Sequence, residues 1–195
     1  MKAAIGLGNP GDKYRGTRHN VGFEVVEAVY RSDPKERRDF ELKKFTFAGT
    51  ELALVSESPK GLLVMPQLYM NNSGPTTQAV SLHYRIGRDD LLVVCDDVNL
   101  VCGEIRIRKG GSSGGQKGLQ SVIDSFASED VPRLRIGIGP SKPVHDLSAF
   151  VLSPFEKAEQ VLIKETVARG AEAVRHWFEH GTEDAMNRYN VKTSK

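Results

Sequence analysis

The run Leu91-Leu92-Val93-Val94-Cys95, ending on Asp96-Asp97, limits the possible folds more than any other stretch. An unbroken apolar run of this length, without alternation, fits a strand covered on both faces, as happens in a parallel sheet with helices on either side. An acidic pair is poorly tolerated inside such a strand, so it is expected at the carboxyl end, where ligand clefts open in α/β sheets.

The rest of the chain alternates in keeping with that. An apolar segment from Lys2 to Ile5 breaks into Gly6-Leu7-Gly8-Asn9-Pro10-Gly11, a strand end handing over to a tight turn. Asn20 is expected to cap a helix to about Arg31, ended by Asp33-Pro34, with Val21, Val25, Val26 and Val29 on one face. Phe40 to Ala48, Glu51 to Ser56 and Gly61 to Met65 read as a meander of short strands. A polar junction, Pro66 to Pro75, leads to a helix over Thr76 to Tyr84, with Asn72 or Ser73 as cap. Gly103 to Arg108 reads as a strand, Lys109 to Gly118 as a glycine-rich loop, and a helix follows to about Phe126. Leu134 to Pro140 is another strand, and a loop containing His145 and Asp146 runs to Pro154. A long amphipathic helix over Phe155 to about Glu179 stops at Gly181, and a short one starts at Thr182. This order implies a three-layer helix–sheet–helix sandwich around a mixed, mostly parallel sheet with a hairpin-like insertion.

Composition narrows the function classes. At 195 residues the chain fits one domain, 1–195, and a net charge of +2 does not by itself argue for nucleic acid. Arg106, Arg108, Lys109 and Lys117 do surround the glycine-rich turn, with Arg133 and Arg135 on a nearby strand, so a local basic rim is expected. Neither a signal-like segment nor a membrane-length apolar run is present, which points to a soluble, unexported chain. Two cysteines without clustered histidines suggest free thiols and no metal. Gly6, Gly8 and Gly11 formally satisfy G-x-G-x-x-G. However, Pro10 interrupts the turn, and no acidic residue falls at the next strand end, so a dinucleotide site is not expected.

Asn9 and His19 follow one strand end, Asn71 another, and Asp96 a third. A histidine, with an unperturbed pKa of about 6.5, exchanges a proton near neutrality. An aspartate on one ring nitrogen frees the other to deprotonate water, and asparagine amides can donate to a developing oxyanion. With no Gly-x-Ser-x-Gly elbow and no patterned cysteine nucleophile, activated water is preferred over a covalent intermediate.

Gly6-Leu7-Gly8-Asn9-Pro10-Gly11 with Tyr14 and Thr17-Arg18-His19-Asn20-Val21-Gly22, then Tyr69-Met70-Asn71-Asn72-Ser73-Gly74, Asp96-Asp97, Gly114 to Gly118 and Arg133 to Gly139 closely resemble the bacterial-type peptidyl-tRNA hydrolases. The likeness spans nearly the whole chain. It implies a monomeric, cytoplasmic enzyme without cofactor that cleaves the ester between a stalled peptide and tRNA and recycles the tRNA during translation. Its partners would be peptidyl-tRNA and tRNA, with no membrane involved. By position, the resemblance makes His19 the base and Asp96 its orienting partner, with Asn9 and Asn71 holding substrate. Tyr14, Tyr69 and Met70 would line the cleft, and Arg108 and Arg135 would clamp a tRNA phosphate. The family's loop usually reads Gly-Gly-His-Asn-Gly, whereas this chain has Gly-Gly-Gln116-Lys117-Gly, so Lys117 is expected to meet a phosphate as a point charge. A second reading is an RNA-binding protein of the same fold that has lost hydrolysis, as in a splicing factor.

Overall fold

The computed structural model describes residues 1–31 and 42–190. Its strands are β1 (Ala3–Gly6), β2 (Lys43–Phe47), β3 (Thr50–Ser58), β4 (Gly61–Pro66), β5 (Leu91–Val101), β6 (Ile105–Arg108) and β7 (Arg133–Gly139). They form one sheet in the order β2-β3-β4-β1-β5-β7-β6. β4, β1, β5 and β7 are parallel neighbours, β2-β3-β4 is an antiparallel meander, and β6 lies antiparallel on β7. The helices are α1 (Val21–Arg31), α2 (Ser73–Tyr84), α3 (Lys117–Phe126), α4 (Leu147–Val151) and α5 (Gln160–Tyr189).

The pleat sends alternate residues of each central strand into different cores. Ala4, Leu92, Val94, Leu134 and Ile136 meet α1 and α5 on one face. Ala3, Ile5, Leu91, Val93 and Cys95 meet α2 and α3 on the other. Burial on both faces is why β5 is apolar without alternation.

One expectation about β5 is corrected. Asp96 and Asp97 lie inside the strand, not past its end, because β5 continues to Val101. The cleft arises because β1 is shorter: its last partner pair is Gly6 with Val94, whereas β5 stays in register with β7 through Asp97 and Gly137. Beyond Val94, then, β5 borders a crevice where β1 has already turned away. Since β1 is followed by strands on one side and flanked by β5 on the other, this is the switch point of the sheet.

Other boundaries differ as well. α2 begins at Ser73, taking Pro75 into its first turn, where a missing N–H costs nothing. Asn72 occupies the cap position without a side-chain cap bond. α5 begins at Gln160, since Phe155 is instead buried against the core. Its helical backbone breaks at Gly181 (φ 83°, ψ −177°), where the sequence places a stop, and then resumes. Within the expected loop before Pro154, the Asp146 side chain accepts from Ala149 N at 3.0 Å and starts α4. The Asp33-Pro34 stop and the Phe40 strand start lie outside the described residues. None of the described helices is long and apolar enough to cross a membrane.

Candidate active site

His19 sits in a single 3-10 turn, Arg18–Asn20, immediately before α1. Gly22 lets this turn press onto the sheet, since a Cβ there would stand 2.4 Å from Val94 O and 2.5 Å from Leu7 O. The close seat brings His19 Nδ1 to 2.9 Å from both carboxylate oxygens of Asp96. Both residues are buried.

Asn20 does not cap α1 as the sequence suggests. Its Oδ1 accepts from Asn9 N and its Nδ2 donates to Asn9 O, each at 2.9 Å, so the amide ties the β1 turn to the histidine turn. Asn9 Oδ1 in turn accepts from Met70 N at 2.8 Å. That fixes the amide orientation and leaves the Asn9 NH2 as the end available to a ligand.

Asn9, His19, Met70, Asn71, Asp96 and Lys117 line one cavity of about 470 Å³. Its far wall is apolar, built by Val98, Leu147, Val151 and Leu152. Tyr14 and Tyr69 are not among the lining residues. They form a T-shaped pair, 6.3 Å between centroids, with Lys13 Nζ 4.7 Å over the Tyr14 ring.

The basic residues divide into two kinds. Arg135 Nε pairs with Asp97 Oδ2 at 2.9 Å on the cavity's edge, and Arg108 is exposed on β6, across from Arg133 and diagonal to Arg135. Arg133 is not on the expected rim: it is almost wholly buried and donates to the backbone carbonyls of Val131, Gly111, Ser112 and Glu129. It therefore anchors the glycine-rich loop. Burial lowers its pKa below the ordinary guanidinium value.

Sequence reasoning missed three features. Gln116 is buried at the start of α3 and donates from Nε2 to Asp96 Oδ1 at 2.9 Å. Arg18 makes a two-pronged contact with Glu159, at 2.9 and 2.6 Å, between the rings of Phe150 and Phe155. The third is α4 with its apolar wall, for which Asp146 ahead of Leu-Ser-Ala-Phe-Val was an available capping signal. Burial pushes the Cys95 thiol far above its ordinary value, with Asp96 adding to the effect, which makes it inert as a nucleophile. Among the described residues, no group of three His, Cys, Asp or Glu is placed to hold a metal ion.

The family model for peptidyl-tRNA hydrolase matches residues 3–195. A peptidyl-tRNA hydrolase of Prosthecochloris aestuarii is 42% identical over 191 residues, covering 98% of this chain and 97% of its own. One from Rhodopirellula baltica is 39% identical, with 98% of both chains covered. The crystal structure of the peptidyl-tRNA hydrolase of Acinetobacter baumannii superposes with a TM-score of 0.84 at 28% identity, over 99% of this chain and 96% of the other.

The Arg18–Glu159 contact supports a prediction about acid stability. The hydrogen bond from Arg18 holds the Glu159 carboxyl below its ordinary value of 4.5, against the opposing effect of partial burial. A carboxyl depressed on folding stabilises the fold above its unfolded pKa, and that stabilisation fades as pH falls through the folded value. Losing hydrogen bonds to a charged group costs about 2 kcal/mol, so Glu159→Ala should lower Tm at pH 7 by about 4–8 °C. Thermal unfolding at successive pH values should show the gap to wild type narrowing below pH 4.5. A gap constant down to pH 2 would contradict the depressed carboxyl.

Proposed function

The chain belongs to the peptidyl-tRNA hydrolase family and cleaves the ester between peptide and tRNA, and on that footing we propose that His19, oriented by Asp96, is the base that activates the attacking water. The observation carrying this reading is the His19–Asp96 contact inside a cavity shared with Asn9 and Asn71.

A carboxylate only accepts hydrogen bonds, so the ring proton sits on Nδ1 and the Nε2 lone pair is left for water. Nε2 takes a proton as the water oxygen bonds to the ester carbon, and the carbonyl π pair moves onto its oxygen. The amide groups of Asn9 and Asn71 donate to that oxyanion, the charge that exists only as the barrier is crossed. Collapse breaks the bond to the terminal ribose oxygen, which receives the proton from the imidazolium. The products are a peptide with a free carboxyl and a deacylated tRNA.

Around this centre Met70 contributes to the cavity wall, the Tyr14–Tyr69 pair, outside that wall, receives incoming substrate, and Lys117, Arg108 and Arg135 meet phosphates. Guanidinium forks suit paired phosphate oxygens, whereas the lysine acts as a point charge. We read the working species as a cytoplasmic monomer, as membership of the family implies. A binding protein that has lost hydrolysis is not favoured, because Gln116-Lys117 leaves the His19–Asp96 contact intact.

Purified protein should release tRNA from peptidyl-tRNA, and a general base contributes about 10²–10⁴-fold, so His19→Ala and Asp96→Asn should each lose turnover on that scale. Turnover near wild type in His19→Ala would remove it from the mechanism. Arg135→Ala should reduce the salt dependence of tRNA binding, with the log–log slope shrinking by about 1. An unchanged slope would exclude a phosphate contact.

A further inference from the structure

We propose that Gln116 is a positioning residue for the hydrolysis, holding the Asp96 carboxylate in the plane that His19 requires; this rests on the reading of His19 as base. Gln116 occupies the N-cap of α3, where its Oε1 accepts from Leu119 N at 2.6 Å. Its Nε2 donates to Asp96 Oδ1 at 2.9 Å and touches Met70 Sδ at 3.3 Å. The amide can adopt only this orientation. Reversed, it would set an oxygen against the carboxylate and an NH2 against the Leu119 N–H.

The residue type carries the inference. Asn, Asp, Ser and Thr are the preferred N-caps, and glutamine is not among them. A shorter side chain would cap the helix but stop one methylene short of Asp96. Gln116 spends an inferior cap on reach, so one side chain links the backbone of α3 to the carboxylate that orients the histidine. Gly118 makes room for this: a Cβ there would stand 2.4 Å from Met70 Sδ, the atom against which the Gln116 amide packs.

The charges around Asp96 leave it no other fixed donor from this side. His19 approaches from the turn before α1, while Asp97 on the same strand is taken by Arg135 of β7. Lys117, next along α3, is exposed. Without Gln116, His19 Nδ1, at 2.9 Å from each oxygen, is the remaining side-chain partner of Asp96, and no second donor sets the plane of the carboxylate against the ring.

The test is steady-state hydrolysis of peptidyl-tRNA by the full chain, with kcat and KM measured separately across pH for Gln116→Asn, Gln116→Glu and His19→Ala. Asn keeps the cap and loses the reach, so kcat should fall about 10-fold, the scale of one hydrogen bond to a charged group, with KM within about twofold and Tm within about 2 °C. Glu keeps both reach and cap acceptor but replaces the donor with negative charge. Its kcat should fall as well, and the rising limb of its pH profile should move up by about one unit. If Gln116→Asn unfolds, the Gln116→Glu profile decides alone. Wild-type kcat and an unmoved limb, beside an inactive His19→Ala, would reduce Gln116 to a helix cap and overturn the proposal. A rise in KM at constant kcat would also overturn it, by making Gln116 a substrate contact. Full activity in His19→Ala would instead sink the base assignment itself.

Discussion

Everything at the site depends on β5 outlasting β1. The two strands run side by side only as far as Val94, and the next residues of β5 keep a partner on one side alone. A carboxylate inside a sheet covered on both faces would be costly to bury. Asp96 is tolerated because the missing neighbour leaves space for donors from two other elements, the histidine turn and the start of α3. The same gap in backbone pairing is thus both the reason an acid can sit in a central strand and the opening through which substrate reaches it.

The surroundings of that gap are braced by side-chain hydrogen bonds to segments distant in sequence. Asn20 joins two turns through the Asn9 peptide, and Asn9 reaches on to Met70. Arg18 is fixed from the other side by Glu159 and two aromatic rings, beside a backbone bond from Arg18 N to Ser153 O. Arg133 fastens the glycine-rich loop. Two of the arginines are therefore structural and buried, Arg133 bound through all its nitrogens to backbone carbonyls and Arg18 through its two terminal nitrogens to a carboxylate, while Arg108 and Arg135 stay nearer solvent. Net charge said little about function for this reason: the positive groups that matter are sorted by burial.

Much of this was legible in the sequence. The apolar runs, the glycine and proline punctuation and the helical spacing led to the layered fold, because local periodicity reflects which face is covered. The His19, Asp96, Asn9 and Asn71 grouping also came from strand ends. What escaped depended on contacts between distant segments. Asn20 looked like a helix cap because a cap needs only local sequence, whereas its real partner is Asn9, eleven residues back across a turn. Gln116 looked like a mere departure from the family's loop, since nothing local reveals a reach to Asp96. The position of Asp96 within β5 was misjudged because the length of one strand says nothing about where its neighbour stops. Arg133 and Arg135, two residues apart on one strand, were indistinguishable until β6 and the loop were folded over them.

The central claim is that Asp96 fixes the tautomer of His19, and nitrogen-15 NMR of the labelled ring in the free protein tests it most directly. The expected spectrum has a protonated Nδ1 and a bare Nε2 over the pH range where hydrolysis is fast. A ring protonated at Nε2 and bare at Nδ1 would mean that the nitrogen facing the cavity cannot accept a proton from water, and the mechanism would fail.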